Sequence, residues 1–144
     1  MQNFIRLAYI SRAAETDSDR IKELNDQILS KALQFNEKNG ITGCLCFSNN
    51  CYFQCLEGAK DVVEPLYSKI LHDRRHTDVK IIFKEPITSL SFAKWQMKYV
   101  PNVEWMIPLI RLHGHKNFSP YDFAENLLRD LLDFLSQRCA AGKC

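Results

Sequence analysis

Residues 41–58 read Ile-Thr-Gly-Cys-Leu-Cys-Phe-Ser-Asn-Asn-Cys-Tyr-Phe-Gln-Cys-Leu-Glu-Gly. Two apolar runs flank Asn49-Asn50, a residue type that accepts the left-handed backbone a tight hairpin needs. The stretch therefore predicts a strand over 41–47, a turn, and a second strand over 51–57 that Gly58 ends. Gln54 stands in the middle of the second strand, where a neutral amide left without a partner costs about 1–3 kcal/mol. A side chain or a bound molecule with a polar edge must receive it.

Working outward, residues 4–11 predict another strand, with Ile5, Leu7 and Tyr9 on one face and Phe4, Ala8 and Ile10 on the other. Both faces carry apolar groups, so both need cover, and Tyr9 is a second polar group planted in a sheet. Thr16, Asp17 or Ser18 caps a helix in which Ile21, Leu24, Ile28, Ala32 and Phe35 recur at helical spacing. Gly40 ends it. A second helix spans 60–73, with Val62, Val63, Leu66, Tyr67, Ile70 and Leu71 facing the core; Pro65 is tolerable near its first turn. Residues 78–84 predict a fourth strand with Val79, Ile81 and Phe83 alternating, stopped by Pro86. A turn over 89–94 leads to a short fifth strand over 96–100.

This order is an α+β, ferredoxin-like βαββαββ fold: a five-stranded sheet whose right-handed crossovers place two helices on one face. The tail is helical, an apolar run over 104–113 and then Phe123, Leu127, Leu128, Leu131, Leu132 and Leu135 at spacings of three and four. That stripe must be buried, either on the free sheet face or on a partner helix. The division expected is a domain over 1–102 and a two-helix extension over 103–144.

With 144 residues, 46% apolar and 25% charged, the chain can bury a core without staples. A formal charge of +2 with scattered basic residues gives no footprint for nucleic acid or a membrane surface. No run is long enough to span a membrane, and no signal-peptide order precedes the first strand. These points set the expectation of a cytoplasmic protein. Of six cysteines, Cys44, Cys46, Cys51 and Cys55 lie in the hairpin, where they read as core residues; no paired C-x-x-C knuckles suggest a metal. Cys139 and Cys144 are in the tail, and terminal Cys144 is expected to be exposed and to form disulfides on handling.

Tyr9 and Gln54 project from strands beneath the helices. Asn36 sits one turn before the end of the first helix, and Arg75 and His76 follow the second. Asn36 donates and accepts at once, which suits an imide edge; Arg75 only donates, which suits a carbonyl or an anion. Taken singly, Asn36 reads equally as a helix-end group, Tyr9 as a core tyrosine, Asp73 to His76 as a charged loop, and Trp95 and Met97 as core.

The ordered set is more specific. Leu7-Ala8-Tyr9-Ile10-Ser11, Asn36, Asn39-Gly40-Ile41-Thr42-Gly43-Cys44-Leu45, Phe53-Gln54-Cys55-Leu56-Glu57-Gly58, Asp73-Arg74-Arg75-His76 and Phe92-Ala93-Lys94-Trp95-Gln96-Met97 together resemble the BLUF family of blue-light sensors using flavin. The resemblance covers residue 4 to about 100.

It implies noncovalent FAD between the two helices. No G-x-G-x-x-G phosphate loop is present, which agrees with a family whose adenine end is loosely held, so FMN or riboflavin can substitute. By motif position Tyr9 and Gln54 are the photoactive pair. Asn36 holds the polar edge of the ring, and Asp73, Arg75 and His76 lie by its pyrimidine side and ribityl chain. Ser11 also belongs to the cofactor-binding set, and Ile41 and Ile70 sandwich the ring. Light drives an electron from Tyr9 and a proton through Gln54, whose amide then rearranges by rotation or tautomerisation and shifts absorption to the red. Output runs through Trp95 and Met97, which face the same way if the fifth strand is extended, to the tail and an unidentified regulatory protein. The tail is also a candidate for self-association. The competing classes are an enzyme, either a small flavin-dependent one or a hydrolase using Arg75 and His76, for which no nucleophile accompanies the basic pair, and a light-independent interaction module.

Overall fold

The structure, a computed structural model, describes residues 3–143. The expectation for Cys144 falls outside the described residues. β2 (Thr42–Ser48) and β3 (Cys51–Ala59) pair antiparallel around Asn49 and Asn50, whose φ angles are 51° and 62°. Two consecutive left-handed residues match the natural twist of the strands they join. Gly43 is required by close approach: a Cβ there would stand 2.0 Å from the Cys55 carbonyl oxygen. Gly58 does not end β3; it pairs with Ile5 of β1 (Phe4–Ala13), and the strand runs on to Ala59.

With β4 (His76–Pro86) and β5 (Lys98–Val100), the sheet order is β4-β1-β3-β2-β5. All pairs are antiparallel except β2 with β5. α1 (Ser18–Asn39) follows β1 and α2 (Lys60–Leu71) follows β3. The Asp17 carboxylate accepts the Asp19 and Arg20 amides at 2.9 and 3.2 Å and caps α1; Gly40, at φ 67°, closes it. Pro65 is the sixth residue of α2, past the first turn, so the helix forgoes one internal bond there.

The sheet separates two cores. On one face Ile5, Leu7, Tyr9 and Leu45 meet Ile28 and Phe35 of α1 and Leu66 and Ile70 of α2. On the other face Ala8, Ile10 and Phe53 meet the tail, α3 (Ile107–Leu112) and α4 (Glu125–Ala140). Leu127, Leu128, Leu131, Leu132 and Leu135 are buried against the strands, each worth about 1.5–3 kcal/mol of transfer free energy. Of the two covers the sequence left open for this stripe, the chain uses its own sheet.

Three expectations are corrected. Val79, Ile81 and Phe83 do not share a face: Val79 packs with the helix-side core, Phe83 with the tail side, and Ile81 is 40% exposed. The cause is register. Two shifts interrupt the pairing of β1 with β4, and Asp78 adopts φ 53° beside one of them. Leu71 is 46% exposed, being the last residue of α2. The fifth strand is only three residues long, because 91–97 is spent on turns.

Cys44, Cys46, Cys51 and Cys55 all pack into the tail-side core. Burial pushes the thiols of Cys44 and Cys55 well above the ordinary 9.0. Their folded pKa exceeds the unfolded one, so stability gained by keeping them neutral is complete below about pH 9 and is lost as pH rises. The Tm is therefore expected to hold through neutral pH and fall above about pH 9; a scan flat across that range would contradict this burial.

Candidate functional site

Between α1 and α2 and the strands beneath them lies a cavity of about 370 Å³, within the usual range for small-molecule sites. Its walls follow from periodicity. Ile28, Ala32, Phe35 and Asn36 recur along one stripe of α1, and Leu66, Ile70 and Asp73 along the facing side of α2 and its end. The floor comes from one face of three strands: Tyr9, Leu45, and Tyr52, Gln54 and Leu56 of β3.

At the floor, Tyr9 and Gln54 are directly opposite in the register of β1 and β3, both 4% exposed. The Tyr9 hydroxyl donates to Gln54 Oε1. Burial, with Tyr67 and Asp73 adding to it, pushes the Tyr9 phenol well above 10.0. Among the described residues, Gln54 Nε2 faces the Met97 thioether alone, at 3.7 Å. Sulfur is a weak acceptor, so a buried amide donor beside the cavity is under-used. Asn36 is 1% exposed; its Nδ2 donates to the Gln96 carbonyl at 2.6 Å, leaving Oδ1 as an acceptor.

Arg75 and Asp73 form a clamp, with Arg75 Nη2 at 2.5 Å from Asp73 Oδ2 and Nε at 3.0 Å from Oδ1. These bonds hold the Asp73 carboxyl below the usual carboxylate range. His76 Nε2 meets the Ile70 carbonyl at 2.6 Å and Nδ1 meets the Ser11 hydroxyl at 2.8 Å. A carbonyl only accepts, so in the neutral ring Nε2 carries the proton and Nδ1 accepts from Ser11.

The sequence expectations divide accordingly. Tyr9, Asn36, Gln54, Ile70, Asp73, Arg75 and His76 line the cavity. Ser11 and Ile41 are buried but do not line it: Ser11 stands behind His76, and Ile41 packs toward Gly58. Trp95 and Met97 do not face the same way. Met97 lines the cavity, whereas Trp95 packs with the tail-side core. Extended geometry, which their shared direction required, begins only at Lys98; Trp95 lies in a turn, its amide bonded to the Phe92 carbonyl at 3.0 Å.

The family described as sensors of blue-light using FAD matches this chain over residues 4–98. The chain belongs to the BLUF family. Over 83 residues it is 42% identical to photoactivated adenylate cyclase subunit alpha of Euglena gracilis, a match covering 58% of this chain and 8% of that protein. The blue light- and temperature-regulated antirepressor BluF of Escherichia coli (strain K12) is 28% identical over 89 residues, 62% of this chain and 22% of that one. This chain thus corresponds to a small part of those relatives. Among solved structures, BlsA in its photo-activated state aligns with a TM-score of 0.84 at 37% identity, covering 92% of this chain and 94% of that one. BlrB in its dark state gives 0.69 at 27% identity, covering 91% and 97%.

Several buried polar residues in and around the cavity escape sequence reading. Tyr52 lines the cavity and donates to Asn25 Oδ1 at 2.5 Å, and burial pushes its phenol up to about 12. Asn25, 4% exposed on α1, also reaches the Tyr99 hydroxyl at 3.4 Å. The one signal was a polar residue on the apolar stripe of α1. Glu57, fully buried, accepts from Arg6 and from the amides of Ser91 and Phe92. Among the described residues no cluster of His, Cys, Asp or Glu is placed to hold a metal, and no helix is long and apolar enough to cross a membrane.

Proposed function

We propose that this BLUF protein binds a flavin noncovalently, FAD by the family's description, and signals blue light without turnover by resetting the Tyr9–Gln54 hydrogen bond. The observation that carries the reading is Gln54. Its carbonyl is taken by Tyr9, while its buried N–H group has, among the described residues, only a thioether in reach beside a cavity of ligand size. A flat heteroaromatic ring with acceptors along one edge supplies what that donor lacks, and the apolar walls of α1 and α2 supply the faces.

The bound flavin supplies absorption of blue light and, once excited, a one-electron oxidant. Tyr9 would be the donor, with Gln54 Oε1 already in contact to receive its proton, and it would take electron and proton back once the amide has rearranged, so that no net redox change remains. Rearrangement of the Gln54 amide then changes which of its ends meets Tyr9, Met97 and the ring. Asn36 holds the ring edge through Oδ1, and the Asp73–Arg75 clamp and His76 orient the pyrimidine side.

Output is read as contact. Met97 moves with Gln54, and the turn between it and Trp95 carries the change from the cavity to the tail-side core. Residues 1–102 serve as the sensor and 103–144 as the surface that a regulatory protein or a second copy of the chain meets, in the cytoplasm. The test is direct. The chain loaded with FAD and exposed to blue light should show its first flavin band move slightly to the red and return in the dark. A chain that takes up no flavin, or whose spectrum is indifferent to light, sinks this reading.

A further inference from the structure

The mouth of the cavity carries charge that the ring contacts leave unused. Lys31 of α1 and Lys69 of α2 both line it and both are exposed, so they stand where it opens to solvent. Among the described residues neither is in an ion pair. The helical neighbours explain this: Gln27, Ile28, Gln34 and Phe35 lie three or four residues from Lys31, and Pro65, Leu66, His72 and Asp73 from Lys69. The one carboxylate in that set, Asp73, is bound by Arg75, and Glu64, a turn earlier, is taken by Lys84. Lys69 Nζ lies 5.9 Å from the centroid of the Phe35 ring, which puts an ammonium of α2 across the cavity against α1.

Two unneutralised ammonium groups at the opening of an apolar cavity suit an anion carried on the solvent end of a flat ligand. We propose that Lys31 and Lys69 read the phosphate on the flavin side chain, so that the protein selects FMN and FAD over riboflavin. The proposal rests on the flavin reading above. A phosphate monoester brings about 1.5–2 negative charges to the two lysines. Solvent screens each contact, so the preference is modest and depends on salt.

The full chain, freed of flavin, is titrated with riboflavin, FMN and FAD at low and high salt, with quenching of flavin fluorescence as the readout. FMN and FAD should bind about ten-fold more tightly than riboflavin, with the advantage shrinking as salt rises. The Lys31→Ala/Lys69→Ala double variant should bind all three as it binds riboflavin, and Lys31→Arg/Lys69→Arg should keep the preference. Equal affinity of the unaltered chain for riboflavin and FMN, or a preference untouched in the alanine variant, overturns the proposal and leaves the ring site standing. Failure to bind any flavin overturns both.

Discussion

Tyr9→Phe is expected to keep its flavin and lose the light response outright. The substitution removes one oxygen. The ring stays, with its contacts to Tyr67 at 5.7 Å and His76 at 6.1 Å between centroids, so the cavity keeps its floor. What disappears is the hydroxyl that meets Gln54 Oε1, and with it the proton the proposed switch moves. Leaving that buried carbonyl unpaired costs about 1–3 kcal/mol, tolerable for a domain of this size. Steady-state difference spectra before and after blue illumination should be flat in a yellow, folded protein. Gln54→Leu should be equally blind, and its dark spectrum should also move, since the proposed donor to the ring is gone. A normal, reversible red shift in Tyr9→Phe would remove Tyr9 from the mechanism.

The largest loss of stability is expected at Glu57. Its Oε2 accepts from Arg6 Nε and Nη2 at 2.9 and 2.7 Å and from the Ser91 amide at 2.9 Å; its Oε1 accepts from the Phe92 amide at 2.9 Å and Thr42 at 3.3 Å. Every partner is a donor. Glu57→Ala strands two amides and takes the carboxylate from Arg6, whose Nη2 keeps the Ser91 hydroxyl at 2.6 Å, and breaking a buried pair in this way costs about 3–5 kcal/mol. Glu57→Gln is informative because it keeps the shape but turns an N–H group toward other donors, so it should not rescue. Denaturant midpoints check both variants; a Gln variant as stable as the parent would mean the carboxylate is not the organising charge. The consequence reaches further than stability. Ser136 of α4 donates to the Ser91 carbonyl at 3.0 Å, so Glu57 secures the segment that touches both the tail and, through Met97, Gln54.

The fold was legible because its signals are local. Asn49-Asn50 fixes the hairpin, Asp17 and Gly40 bound α1, and the leucine stripe of α4 has a free sheet face to cover. The misses came from features with no local signal. The two register shifts of β4 depend on its pairing with β1, some seventy residues away, so a strict alternation was the natural and wrong expectation for Val79, Ile81 and Phe83. The opposed directions of Trp95 and Met97 arise from turns held by distant groups, the Asn36 side chain on the Gln96 carbonyl and the Gly43 amide on the Trp95 carbonyl. Residues named from motif positions line the cavity except Ser11, Ile41 and Trp95. Tyr52, Lys31 and Lys69 have no motif, and only the meeting of two helices and a strand brings them together.

β3 is bonded to β1 from Cys51 to Ala59 and to β2 from Cys51 to Glu57, whereas β5 holds β2 through three residues and, among the described residues, has no strand beyond it. The sheet is thus a stiff plate with one pliant hem. Deformation imposed at its centre finds no give there and is shed at that rim, where the chain passes from the cavity side to the outer helices. Rigidity at the heart of the molecule is what makes its edge able to report.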